Sequence, residues 1–146
     1  MTPQALAQAE KVKAMAANMI SKAWSAGDLD VIDSHTTKDF TCYDPLAPTG
    51  MSKAEYREQV RLFRSAFPDL TTEIKGQWAE GNTVVTKFQT TGTFSGSNWG
   101  DAAPNGARIT IDGVELDHVE PSSGKISTTE QYYDSEPLSR AVGLPY

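Results

Sequence analysis

Cysteine is almost missing from this 146-residue chain, and Cys42 stands alone. That excludes an intramolecular disulfide and any cysteine-based zinc site. Histidine is nearly as scarce. His35 and His118 are the only two, and neither sits in an Asp/Glu/His ligand spacing, so no catalytic metal is expected. Basic residues are few: 13 Lys and Arg face 19 Asp and Glu, a net charge of −6. This balance argues against nucleic acid or an anionic membrane as the main partner. No stretch approaches the ~20 apolar residues that span a bilayer. The N-terminal MTPQALAQAEKVKAMAANMISKAW lacks the unbroken apolar core of a signal peptide, so the cytoplasm is the expected location. There is no G-x-S-x-G elbow, and Gly92, Gly96 and Gly100 belong to a strand and its loop rather than to a phosphate cradle.

What is present suffices for one folded domain over 1–146. Hydrophobic residues make up 38% and charged residues 22%, so a core can form without staples. Leu6, Ala9, Val12, Met15, Ala16, Met19, Ile20, Ala23 and Trp24 recur at helical spacing after Thr2-Pro3, with Gly27 as the terminator. Asp28 or Asp30 caps a second, short helix through Val31 and Ile32. Residues 39–43 read as a short strand stopped by Asp44-Pro45, and PLAPTGM as a loop. Ser52 and Glu55 form a capping box, and Met51 and Tyr56 a hydrophobic staple. The helix that follows carries Val60, Phe63 and Phe67 on one face, with Arg57, Arg61 and Arg64 assigned to a solvated face, and ends at Pro68-Asp69.

Beyond residue 70 the period changes from helical to alternating. Leu70, Thr72, Ile74 and Trp78 mark a strand over 70–79. Further strands span 84–94, 107–120 and 125–134, with a loop at 95–106 and a turn at Pro121-Ser122-Ser123-Gly124. Pro137 opens a last short helix that Gly143 closes. Helices first and a meander of strands after means α+β, with helices packed on one face of a curved antiparallel sheet.

The segments AWSAGDLDVIDSHTTKDFTCYDP, GMSKAEYREQVRLFRSAFPDL, TTGTFSGSNWGDAAPNG and DGVELDHVEPSSGKI, followed by a Tyr-rich strand and LSRAVG, resemble the SnoaL-like polyketide cyclases of the nuclear transport factor 2-like superfamily. The resemblance implies a cone-shaped α+β barrel with a central pocket. It also implies a homodimer or higher homo-oligomer through the outer face of the sheet. Cyclases of this type use an acidic residue on the last strand, with a histidine on the strand before it. Here Gln131 falls at the acid's place and Asp117 near the histidine's, so the acid is absent or has moved to Asp117, Glu115 or Glu130. Glutamine cannot exchange protons as a base.

Glu115 and Asp117 are two apart on one strand and point the same way. Facing a closed apolar pocket, they would repel each other and hold a proton suited to acid/base work. Facing water, they would leave Val114 and Leu116 to the core. Asp117 is the expected acid/base and Glu115 its coupled partner. Gln131, Tyr43, Tyr133, Trp24 and Glu130 are expected to bind the substrate, and His118 to point opposite Asp117. Asp44 is either an acid at the pocket mouth or a turn-starting residue. The expected function is cofactor-free proton-transfer chemistry, an aldol-type cyclisation or isomerisation, on an apolar oxygenated small molecule such as a polyketide. The alternatives are a non-catalytic binding module and an epoxide hydrolase. The latter needs an arginine between its acids, and Arg108 has the wrong parity.

Overall fold

A computed structural model describes residues 2–143. Helix α1 spans Pro3–Met19, and the Thr2 hydroxyl accepts from the Ala5 N–H at 3.0 Å as its cap. The apolar stripe then continues, but Ile20–Ser25 forms a π-helical turn rather than more α-helix. The wider turn brings both Ile20 and Trp24 to the interior hollow. Leu6, at the start of the stripe, lies in solvent. Helix α2 covers Asp30–His35, and the Asp28 carboxylate accepts from the Asp30 N–H at its start.

Strand β1 runs Thr36–Asp44, longer than the sequence suggested, and β2 occupies Ala47–Ser52. The segment expected to be a loop is therefore a strand. It lies at the edge of the sheet, the position where Pro48 costs no ladder bond. Helix α3, Lys53–Ala66, starts with the full Ser52–Glu55 capping box, and Met51 and Tyr56 are both buried in one core cluster. Of its arginines only Arg61 is a simple surface residue. Arg64 Nη1 donates to the carbonyls of Trp24, Ser25 and Leu70 at 2.8–3.0 Å, and Arg57 reaches the Leu29 carbonyl and Asp33. The solvated-face reading fails for these two because the end of the π-helical turn gives Arg64 bare carbonyls that need donors, and the start of α2 gives Arg57 the Leu29 carbonyl and Asp33.

The remaining strands are β3 Thr71–Glu80, β4 Thr83–Thr93, β5 Arg108–Val119 and β6 Ile126–Tyr133, followed by α4, Glu136–Val142, which Gly143 ends at φ 74°. The sheet order is β2-β1-β6-β5-β4-β3. All pairs are antiparallel except β1 with β6, which run parallel, so the sheet is mixed. A register shift between Ile74 and Gly76 flips parity along β3 and puts Trp78 on the outer face, opposite Thr72 and Ile74.

The architecture is the expected cone-shaped α+β barrel. Two apolar clusters fill it. One joins α1, α3 and β1 around Val12, Met19, Phe40 and Val60. The other joins α3, α4, β5 and the segment just after β4 around Phe67, Phe94, Ile109 and Leu138. Trp24 packs against both, edge-on to Phe63 at 5.4 Å, and its indole N–H donates to the Tyr56 hydroxyl at 3.0 Å. No helix among the described residues is long and apolar enough to cross a membrane.

Candidate active site

Strand parity builds the site. On β5, Gly113, Glu115 and Asp117 alternate inward, and their cross-strand partners on β6 are Tyr133, Gln131 and Thr129. The inward face is the one that α1 and α3 cover. Glu115 is thus only 2% exposed and Asp117 0%. Val114 and Leu116 are the ones left on the outer face. Gly113 makes room at the same level, since a Cβ there would sit 2.7 Å from the Tyr132 carbonyl and 2.8 Å from Phe88 Cζ.

Each carboxyl has one defined donor. The Gln131 side-chain amide donates to Glu115 Oε1 at 2.9 Å, and the Thr129 hydroxyl to Asp117 Oδ1 at 2.6 Å. Asp117 Oδ2 is buried without a hydrogen-bond partner. A buried acceptor of this kind is costly, and a proton held between the two carboxyls removes the cost. Burial pushes the Glu115 carboxyl well above the ordinary range, the negative charge of Asp117 beside it adds to the rise, and the Gln131 bond opposes it. Burial also raises Asp117, against the pull of Glu115 and Thr129. Burial thus raises both carboxyls, and their proximity adds to the rise at Glu115, so the pair favours keeping a proton.

The hollow above this pair is lined by Ile20, Trp24, Phe63, Phe88 and Ile111, with Glu115, Gln131, Tyr133, Asp44, Thr72 and Thr90 as its polar members. It is narrow: the centre of a water-sized sphere ranges over about 40 Å³, roughly three times what one water needs. Glu115 reaches this space. Asp117 is fully buried and not part of the lining, so of the two expected acids Glu115 is the one that borders the hollow.

Among the other expected residues, Gln131, Tyr133 and Trp24 line the hollow. Tyr43 and Glu130 do not: they face the outer side of the sheet, where with Pro45, Pro48 and Tyr132 they border a second groove. Their parity explains it, since Tyr43 and Glu130 are paired neighbours across β1 and β6. Glu130 accepts from Tyr132 and is bonded to His118 at 2.7 Å, which accounts for both the outward histidine and the acid. Arg108 is an exposed partner of Asp69 and Thr93, and no Lys or Arg lines the hollow, so the arginine that epoxide opening needs is not there.

Sequence reading missed Thr72 and Thr90, whose hydroxyls meet at 2.9 Å in the wall of the hollow, and Thr129. Parity on β6 was the available signal for Thr129, two residues before Gln131. Asp44 is both things the sequence allowed. Its Oδ1 accepts from the Leu46 N–H at 2.9 Å, as an Asx turn requires, and also from the Tyr133 hydroxyl at 2.8 Å inside the hollow. No group of three or more His, Cys, Asp or Glu among the described residues is placed to hold a metal ion.

The family model for SnoaL-like polyketide cyclases matches residues 14–142. The chain belongs to that family. AclR of Streptomyces galilaeus, a candidate hydroxylase, superposes with a TM-score of 0.79 at 27% identity, over 93% of this chain and 98% of its own. A SnoaL-like cyclase candidate from Jannaschia sp. CCS1 gives 0.80 at 17% identity over 100% and 98%. IdmH of Streptomyces antibioticus, a candidate polyketide cyclase, gives 0.73 at 18% over 91% and 99%. No curated protein matches. On the last strand Gln131 presents an amide to Glu115 Oε1 where the resemblance implied an acid.

Proposed function

We propose that this SnoaL-like protein is a polyketide-processing enzyme that performs proton-transfer chemistry, of the aldol-cyclisation or isomerisation type, on an apolar oxygenated small molecule. One observation carries the reading: two adjacent carboxyls, Glu115 and Asp117, are buried under an apolar hollow with a single amide and a single hydroxyl as donors. Desolvating a pair of carboxyls costs several kcal/mol that aliphatic side chains would spare, and a held proton is what that cost supplies. Glu115, at the wall, donates to a carbonyl oxygen, and Asp117 behind it keeps the proton there. Gln131 fixes the Glu115 rotamer.

Enolisation is the step common to both reaction types, so the test is exchange of the α-protons of 2-tetralone in D2O, followed by proton NMR. The wild type should exceed the buffer rate, and Glu115→Gln should lose most of the excess, on the order of 100-fold. A wild type that binds 2-tetralone without accelerating exchange would identify a binding module and refute the enzyme reading.

A further inference from the structure

A buried acid that keeps its proton is half of an enolisation site. Removing a carbon-bound proton needs a second group that is ionised, placed on the same hollow, and able to return its proton to water. The Glu115–Asp117 pair meets only the second of these conditions, through Glu115: burial favours its protonated form, and neither carboxyl borders the outer groove.

Asp44 is better placed: it borders both the hollow and the outer groove, and two hydrogen bonds support its carboxylate against the effect of burial. It stands at the end of β1, 4% exposed, and lines the hollow that Glu115 lines. Both of its hydrogen bonds, from the Leu46 N–H and the Tyr133 hydroxyl, converge on Oδ1. Among the described residues Oδ2 receives none. Asp44 also lines the outer groove with Tyr43, Pro45, Pro48, Glu130 and Tyr132, where the centre of a water-sized sphere ranges over about 330 Å³. Of the groups that border both spaces, Asp44 is the titratable one and Gln131 the other.

We propose that Asp44 is the second catalytic carboxyl of this site, taking the carbon-bound proton on Oδ2 while Glu115 donates to the carbonyl oxygen of the same substrate. The inference rests on the proton-transfer reading above. The C–H electron pair becomes the carbon–carbon π bond of the enolate, and the carbonyl π pair moves onto the oxygen held by Glu115. In an aldol closure the enolate carbon then bonds to a second carbonyl carbon, and the alkoxide so formed takes the proton back from Asp44. No oxidant or co-reactant enters. Tyr133 is a positioning residue: its hydroxyl holds Oδ1, leaves Oδ2 without a bond from it, and favours the carboxylate.

The electrostatics fit this division of labour. Burial raises Asp44 on balance, though the Leu46 and Tyr133 bonds offset part of the rise, whereas Glu115 is driven well up by burial and by its neighbour's charge together. Pairs of acids whose surroundings separate them in this way are suited to opposite roles. The titratable groups around Asp44 are Tyr133 on β6, Glu115 on β5, Cys42 on its own strand, and Tyr43, Glu130 and Tyr132 on the groove side. No Lys or Arg lines either space, so the two hydrogen bonds are the visible support for its charge.

The experiment is the pH profile of 2-tetralone exchange for the wild type, Asp44→Asn and Tyr133→Phe, with Glu115→Gln alongside. Asp44→Asn should fall on the order of 100-fold in kcat. Tyr133→Phe removes a bond that lowers Asp44, so its acidic limb should move to higher pH while the plateau rate is recovered. A merely structural tyrosine would not shift that limb. Asn retains an acceptor for the Leu46 N–H, and should Asp44→Asn nonetheless fail to fold, the Tyr133→Phe limb decides. Exchange lost in Glu115→Gln but within about twofold of wild type in Asp44→Asn, or an unmoved Tyr133→Phe limb, would overturn the role of Asp44 and leave the proton-transfer reading standing. An inert wild type would overturn both.

Discussion

Replacing Glu115 by Gln should make the protein more stable at neutral pH, although it removes an acid from the middle of the site. In the folded chain the Glu115 carboxyl is raised well above its ordinary value by burial and by Asp117. In the unfolded chain it titrates near ~4.3. Above that value the folded state binds more protons than the unfolded state, so stability must fall as pH rises toward the folded-state value. The loss is ~1.4 kcal/mol for each pH unit over which only the folded chain keeps the proton. Asp44 and Asp117 are raised and act in the same sense, while the partly buried His35 is lowered and acts oppositely below its ordinary range. The Asp44 and His35 contributions largely cancel in the difference between variant and wild type, while the change at Asp117 belongs to the same coupled pair and is part of what the difference reads. Gln at 115 still accepts from the Gln131 amide and is already neutral, so its penalty does not grow with pH. Urea unfolding at several points from pH 5 to 8 reads both curves. They should diverge upward with pH, the variant on top. Parallel curves, or a variant uniformly weaker by the cost of a lost hydrogen bond, would refute the claim that Glu115 keeps its proton on folding.

Gly96→Ala should lower Tm by several degrees on thermal unfolding. A Cβ there would lie 2.0 Å from the Ser65 carbonyl and 2.8 Å from Pro68 Cγ, so backbone must shift, at ~1–3 kcal/mol. Arg64→Met should cost about 2 kcal/mol or more in urea unfolding, because three carbonyls lose their donor. It should also raise KM for 2-tetralone, since Trp24, whose carbonyl Arg64 holds, lines the hollow.

The parts of the fold written in local chemistry were legible. The Ser52–Glu55 box, the Thr2 cap, the Gly143 terminator and the strand cores all stand where spacing placed them. What stayed hidden depends on partners far along the chain. The Ala47–Ser52 edge strand looks like a loop because Pro48 and Gly50 are poor strand formers, and only pairing with β1 makes it a strand. Trp78 changes face through one bulge that no alternation pattern reveals. At the site, parity correctly bound Glu115 and Asp117 to one face but could not say which face was dry or tie Gln131 to it. Depth decided the rest, since Asp117 lies behind Glu115 and Tyr43 lies outside the cone. Arg57 and Arg64 read as solvated because the carbonyls they serve come from other segments.

The parallel joining of β1 to β6 has a kinetic side. Partners such as Tyr43 and Glu130 are roughly 90 positions apart, so closing this seam means closing a loop of more than half the chain. A growing polypeptide presents β1 and β2 with no third strand beside β1 until β6 has been synthesised. Through that interval the inner edge of β1, the strand carrying Cys42 and Asp44, is an unpaired ribbon open to pairing with another copy. Expression yield should therefore respond to substitutions along β1 more sharply than the stability of the finished fold does.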